Sequence, residues 1–150
     1  MFDKQAWMQR AGEYPQSDQE YFGLLARAVF SAGLGPKVVE SRWKDIEGAF
    51  HEFDPAKVSE MDQDDVSRLL EDKAVIRNRR KIEAVISNAG TFLERIDAFP
   101  SFHAYLTQLG ADEDLDAAAE ELTKTFTHLG RTSALFFLFS AGWRPRETSD

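Results

Sequence analysis

Helix-start signals recur along this chain, and no segment shows the strict apolar-polar alternation of a β-strand over any length. The stretch from Ser17 to Glu20 has the sequence of a capping box, in which a serine hydroxyl and a glutamate carboxylate satisfy the first free amides of a helix. Further starts, each a capping residue or a proline at the first helical position, stand at Gly35-Pro36, Asp54-Pro55, Asp62 and Pro100-Ser101. The chain is therefore predicted to be all-α.

Between these starts, apolar residues recur at the three-to-four-residue spacing of amphipathic helices. The segments from Leu24 to Ala32 and from Ile82 to Phe92 show this spacing, and the segment from Thr132 to Ala141 is apolar almost throughout. We expect about seven to nine short helices around one core. At 150 residues the chain has the size of one domain, 1–150, with 144–150 as a flexible tail.

Composition excludes several classes of site. The chain has no cysteine, so disulfides and thiolate metal sites are excluded, and its three histidines are widely separated. We therefore predict no metal site. No apolar run approaches the roughly 20 residues of a membrane span, and the N-terminus lacks the apolar core of a signal peptide. A cytoplasmic protein that contacts no membrane is expected.

One short segment has a charge opposite to that of the whole chain. The chain carries 18 Lys+Arg against 26 Asp+Glu, a formal charge of -8, yet residues 72–82 (DKAVIRNRRKI) hold five cations and a single acid. A helix opened by Asp62 precedes this segment and a longer helix follows it, which is the arrangement of a helix-hairpin-helix. The segment therefore predicts a site where backbone amides and a helix N-terminus meet a DNA phosphate.

Cations around such a turn strengthen phosphate binding without reading base sequence. A solvated helix face is the alternative interpretation of Arg79, Arg80 and Lys81. Hairpins of this type usually hold glycine at the tight bend, whereas Ala74 and Arg80 stand at those positions here. The predicted phosphate-binding residues are Lys73, Val75, Ile76, Arg77, Asn78, Arg79, Arg80 and Lys81.

The segment AFHEFDPAKVSEMDQDDVSRLLEDKAVIRNRRKIEAVISNAGTFL (49–93) resembles the DNA-3-methyladenine glycosylase I family of helix-hairpin-helix proteins. YFGLLARAVFSAGLGPKVVESRW (21–43) and HLGRTSALFFLFSAGW (128–143) are similar to the flanking helices of that family. The resemblance implies a two-lobed all-α domain with a base-binding cleft. It also implies a cofactor-free monomer that binds double-stranded DNA, flips out a methylated base and hydrolyses its glycosidic bond.

This sequence departs from the family where the chemistry is expected. The family's pocket glutamate aligns with Ala28, a polar pair becomes Phe30-Ser31, and a pocket tryptophan becomes Pro36. The zinc-binding cysteines and histidines that the family carries near both termini are missing. We expect the apolar helix around Phe136–Phe139 to hold the termini together by packing instead.

Several residues remain candidates for the missing pocket. Glu40, on the helix after Pro36, and Asp97, about twenty residues past the hairpin, are the candidate acids, and an exposed helix acid is the alternative for Glu40. A buried core side chain is the alternative for Phe30 and for Trp43. The candidate base-pocket residues are Phe30, Ser31, Lys37 and Trp43.

These patterns lead to one functional hypothesis and two alternatives. The hypothesis is a base-excision repair glycosylase that removes alkylated bases such as 3-methyladenine. The first alternative is a catalytically inactive DNA-binding module of the same fold. The second is a helical protein-interaction module that does not bind DNA.

Overall fold

A computed structural model describes residues 12–145 of the chain, and within them it contains α-helices, one 3₁₀ turn at His51–Phe53 and no strand. The prediction of an all-α fold with seven to nine short helices is confirmed. The eight helices are α1 (Asp18–Ser31), α2 (Pro36–Ala49), α3 (Pro55–Ser59), α4 (Gln63–Glu71), α5 (Arg79–Ala98), α6 (Phe102–Gln108), α7 (Leu115–Thr125) and α8 (Arg131–Ser140). No helix in this part of the chain is both long and apolar enough to cross a membrane.

The predicted capping residues begin the helices. Ser17 Oγ accepts the amide of Glu20 at 3.1 Å, as expected of a capping box. The Glu20 carboxylate, however, accepts from Gln16 N at 3.0 Å, one residue earlier than a complete box requires. The reciprocal pair is complete at α4, where Asp62 and Asp65 each accept the other's backbone amide.

The chain between α2 and α3 makes a left-handed turn. His51, Glu52 and Phe53 all have φ near +56°, although none is glycine. This conformation costs an L-residue about 1–2 kcal/mol. The turn is held by Gln19, which donates to Glu52 O at 2.9 Å. It is also held by Phe53, whose buried ring stacks on Phe50 at 5.4 Å.

Helix α1 lies at the centre of the fold, packed against α2, α5, α6 and α8. A continuous series of rings crosses the core from α1 through α5 and α6 to α8. Phe22 lies 5.2 Å from Phe92, which stacks on Phe102 at 4.4 Å. Phe102 in turn lies 6.0 Å edge-on to Phe137. The N-terminal, hairpin and C-terminal parts of the described chain thus share one hydrophobic core.

The two ends of the described chain meet over this core. Gly12 N donates to Gly142 O at 2.9 Å, and the ring of Tyr14 lies 4.7 Å from that of Trp143. Gly142 has φ +92°, and a Cβ there would lie 2.7 Å from Glu13 O, so only glycine allows this approach. Of the predicted tail, 146–150 lie outside the described residues.

Aromatic and imidazole groups join the ends to the core. The Tyr21 hydroxyl lies 2.7 Å from His103 Nδ1, and Trp143 Nε1 donates to the same hydroxyl oxygen at 3.4 Å. The Tyr21 oxygen, which has two lone pairs, accepts from Trp143, and its hydroxyl also hydrogen-bonds with His103. Burial raises the pKa of Tyr21 to about 12.

Candidate nucleic-acid interface

The segment between α4 and α5 forms a hairpin that needs no glycine. Asp72 Oδ1 accepts from Ala74 N at 2.9 Å, and Asp72 O accepts from Val75 N at 3.3 Å. Asn78 N then donates to Ile76 O at 3.0 Å, which completes the reversal. No residue from 72 to 80 has a positive φ. The absence of glycine at Ala74 and Arg80 therefore does not prevent the hairpin.

Two apolar side chains hold the hairpin against the core. Val75 and Ile76 are buried, which leaves only their backbone groups for any phosphate contact. Asn78 caps α5, since its Oδ1 accepts from Lys81 N at 3.2 Å. The turn is thus fixed at both ends before any ligand binds.

Between residues 76 and 80 of the hairpin, four backbone amides have no acceptor within the described residues. They belong to the turn and to the first positions of α5, where helix geometry leaves amides unpaired. Such amides, with the positive end of the helix dipole, bind anions. The four amides are those of Ile76, Arg77, Arg79 and Arg80.

The predicted cations of the hairpin differ in their partners. Lys73, Arg77 and Arg80 are exposed and make no hydrogen bond or ion pair with any described residue. Arg79 is engaged by Glu83 at 3.2 Å and by Gln63 Oε1 at 3.3 Å. The four-residue spacing of Arg79 and Glu83 is a signal that the sequence contains, whereas nothing in the sequence indicates Gln63.

Lys81, predicted to bind phosphate, instead turns into the protein. Its ammonium donates to the backbone carbonyls of Ala32 and, at 3.4 Å, of Phe30. These carbonyls lie at the C-terminus of α1, the negative end of the helix dipole. Burial lowers the pKa of the Lys81 ammonium. Lys81 therefore links the hairpin helix to the loop that follows α1.

The residues that align with the family's pocket lie in the core. Ala28 is 1% exposed and Phe30 is 0% exposed, with the Phe30 ring 5.6 Å from that of Phe50. The prediction that Phe30 lines a base pocket is therefore corrected, since no face of its ring is open. Ser31 Oγ is likewise buried, and it has no hydrogen-bond partner among the described residues.

The candidates on α2 and α5 lie in different surroundings. Lys37 and Glu40 are exposed on α2. The ring of Trp43 is half-buried, stacks on Phe53 at 5.1 Å and lies 5.3 Å from the Arg27 guanidinium. Asp97 is exposed near the end of α5, about 27 Å along the helix axis from Arg79. The structure therefore does not bring Asp97 to the hairpin.

The residues present do not fit the zinc site that the family carries. The sequence contains no cysteine. Within residues 12–145, no three His, Asp or Glu side chains are grouped so that they could hold a metal ion. Packing of Tyr14 against Trp143 joins the two ends of the described residues instead.

Comparison with known proteins identifies the family. The sequence profile of the methyladenine glycosylases matches residues 4–136. DNA-3-methyladenine glycosylase 1 of Escherichia coli (strain K12) is 37% identical over 81 residues, which is 53% of this chain and 43% of that protein. The chain thus spans less than half the length of this curated relative.

Solved structures match over more of the chain. A variant of 3-methyladenine DNA glycosylase I in complex with 3-methyladenine has a TM-score of 0.79 and 28% identity, over 86% of this chain and 79% of that one. 3-Methyladenine DNA glycosylase I from Staphylococcus aureus has a TM-score of 0.77 and 28% identity, over 86% and 78%. The chain belongs to the methyladenine glycosylase family.

Proposed function

We propose that this protein is a base-excision repair glycosylase that hydrolyses the glycosidic bond of alkylated bases such as 3-methyladenine in double-stranded DNA. The observation that carries the proposal is the hairpin, with four free amides beside three unpaired cations, in a chain of the methyladenine glycosylase family. A family neighbour that binds 3-methyladenine supports the choice of base.

The hairpin accounts for DNA binding by an otherwise acidic protein. Phosphate contacts position a duplex without reading its sequence. At physiological salt the Debye length is about 8 Å, so a local group of cations outweighs the more distant acids. Lys73, Arg77 and Arg80 can therefore attract a DNA strand to the free amides although the net charge is -8.

The chemistry must proceed with Ala28 at the position of the family's acid. A base methylated at N3 of adenine is cationic within DNA, so its departure needs no proton from the protein. What remains for the protein is to hold the flipped base while water adds to the sugar carbon from which the base departs. We expect excision of cationic lesions and none of neutral ones such as hypoxanthine, because a neutral leaving base needs a general acid.

The test is the release of free base from two matched duplexes, one carrying 3-methyladenine and one carrying hypoxanthine. Release from the first alone, above its spontaneous rate and reduced by Arg77→Ala, is the expected result. Equal release from both duplexes would contradict the account of the missing acid. No release at high enzyme concentration would refute the glycosylase activity.

One observation favours a second candidate, a DNA-binding module without catalysis. Ala28 and Phe30 are buried and apolar where the family has polar pocket residues. A protein with this core and an intact hairpin would still bind DNA. Binding of the methylated duplex that weakens with Arg77→Ala, without release of base, would establish it. The monomeric state and the cytoplasmic location remain predictions.

A further inference from the structure

A concave surface of about 360 Å³ lies beside the hairpin, between α5 and the loop that precedes α8. We call it the Arg80–His128 surface. It begins at the hairpin itself, because the amide of Arg80 is one of the four free amides described above. The residues that line it are Arg80, Glu83, Ala84, Ser87, Thr127 and His128.

A buried amide fixes the loop that forms one wall of this surface. Asn88, which is 2% exposed, donates from Nδ2 to Thr127 O at 3.0 Å and accepts from Thr127 N at 2.9 Å. An unpaired buried amide would cost about 1–3 kcal/mol. The two hydrogen bonds therefore hold Thr127 at a defined position against α5.

His128 follows in a conformation that is unusual for a residue with a Cβ. Its φ is +55°, and its exposed ring makes no hydrogen bond or ion pair with any described residue. Histidine is among the residues that tolerate this region best, yet it remains uncommon there. The left-handed residue places an imidazole on the same surface as the guanidinium of Arg80, which is also unpaired.

The charges around the surface leave these two donors available. The carboxylate of Glu83 is engaged by Arg79 at 3.2 Å. Arg131, at the start of α8, pairs with Asp116 at 3.3 Å. The hydroxyls of Ser87 and Thr127 add further donors. Next to the hairpin, the surface therefore offers an anion several hydrogen-bond donors: a guanidinium, an imidazole and two hydroxyls.

We propose that the Arg80–His128 surface binds a second phosphodiester of the DNA strand whose first phosphate is held by the hairpin. The inference rests on the proposed function, since it assumes that the hairpin binds DNA. It assigns to His128 a role that the hairpin does not supply. A second contact on the same strand would fix the direction in which the strand leaves the hairpin.

The first experiment measures duplex affinity as a function of salt. Asparagine tolerates left-handed φ, so His128→Asn removes the imidazole and keeps the backbone. His51→Asn is the matched control, because His51 is also exposed and has φ +56°. We expect His128→Asn to weaken binding about tenfold, which is typical of a hydrogen bond to a charged group. His51→Asn should bind as the wild type does.

The second experiment replaces single phosphates of the duplex by neutral methylphosphonates. Replacing one particular phosphate should weaken binding by the wild type but should not weaken binding by His128→Asn any further. Replacing a different phosphate should weaken binding by the wild type but should not weaken binding by Arg77→Ala any further. Thermal denaturation of each variant shows that it is folded.

The outcomes separate the inference from the function on which it rests. If Arg77→Ala weakens binding while His128→Asn equals the wild type and couples to no phosphate, the second site is refuted and the hairpin stands. If His128→Asn and Arg77→Ala couple to the same phosphate, the two surfaces form one site and the inference is wrong. If the wild type binds no duplex at low salt, DNA binding itself is refuted.

Discussion

Replacing Lys81 by methionine tests whether this lysine stabilises the fold or binds DNA. Methionine keeps most of the alkyl chain and removes the ammonium that donates to Ala32 O and Phe30 O. A hydrogen bond involving a charged group contributes about 1.5–3 kcal/mol. The uncharged variant avoids the cost of burying an ammonium, and water can reach exposed Ala32. We therefore expect a net loss of about 1–2 kcal/mol in the free energy of unfolding.

For a chain of this length, 1 kcal/mol corresponds to about 2–4 °C in Tm. Lys81→Met should therefore lower Tm by about 2–8 °C. Its affinity for duplex DNA and the salt dependence of that affinity should not change. Thermal denaturation measures Tm, denaturation in urea measures the free energy of unfolding, and titration of a labelled duplex at several salt concentrations measures affinity.

Lys73→Met is the matched control, because Lys73 is exposed and has no partner among the described residues. This variant should keep its stability and lose affinity, and the slope of log K against log salt should fall by about 0.9 for one lost phosphate contact. If Lys81→Met instead keeps its Tm and loses affinity as Lys73→Met does, the inward position of Lys81 is wrong. The original sequence prediction would then be right.

Three further predictions concern stability. The pKa of Tyr21 is about 12 in the folded chain and about 10 when unfolded. The contribution of its protonated hydroxyl to the free energy of unfolding is therefore complete below pH 10 and is lost as pH rises through 12. The wild type should lose about 1.4 kcal/mol per pH unit in that window, and Tyr21→Phe should lack this loss when urea denaturation is followed from pH 8 to 11. Glu52→Gly should raise the free energy of unfolding by about 1 kcal/mol, because it relieves a left-handed residue. Asp62→Ala should lower it by about 1 kcal/mol, because it removes the cap of α4.

Each of these results has a contrary outcome. A Tyr21→Phe curve parallel to that of the wild type above pH 10 would contradict the raised pKa. Destabilisation by Glu52→Gly would show that the left-handed turn is not strained at that residue. If Asp62→Ala denatures as the wild type does, the cap contributes nothing to stability. Ser67→Ala is the control, because it introduces alanine at an exposed position of the same helix without removing a cap.

Local signals explain what the sequence predicts well. Ser17, Asp54 and Asp62 begin helices because each accepts an amide only two or three residues away. The hairpin was also predictable, since its cations and its flanking helices are contiguous. Family resemblance supplied the rest of the site, including the absence of the acid at Ala28.

Contacts between distant segments explain what the sequence does not predict. Lys81 reaches a carbonyl 49 residues away, and Tyr21 meets His103 across 82 residues. Neither spacing has a pattern in the sequence. The left-handed turn at His51–Phe53 was missed for another reason: turn signals rely on glycine and asparagine, and this turn contains neither.

The buried amide of Asn88 has a consequence for the order of folding. Its partner, Thr127, is 39 residues away, so the pair can form only after α5 has packed beside the segment that leads into α8. Until then, Asn88 needs water, and a dry core around it would be unfavourable. The core around α5 can therefore exclude its last water only when the loop at Thr127 closes.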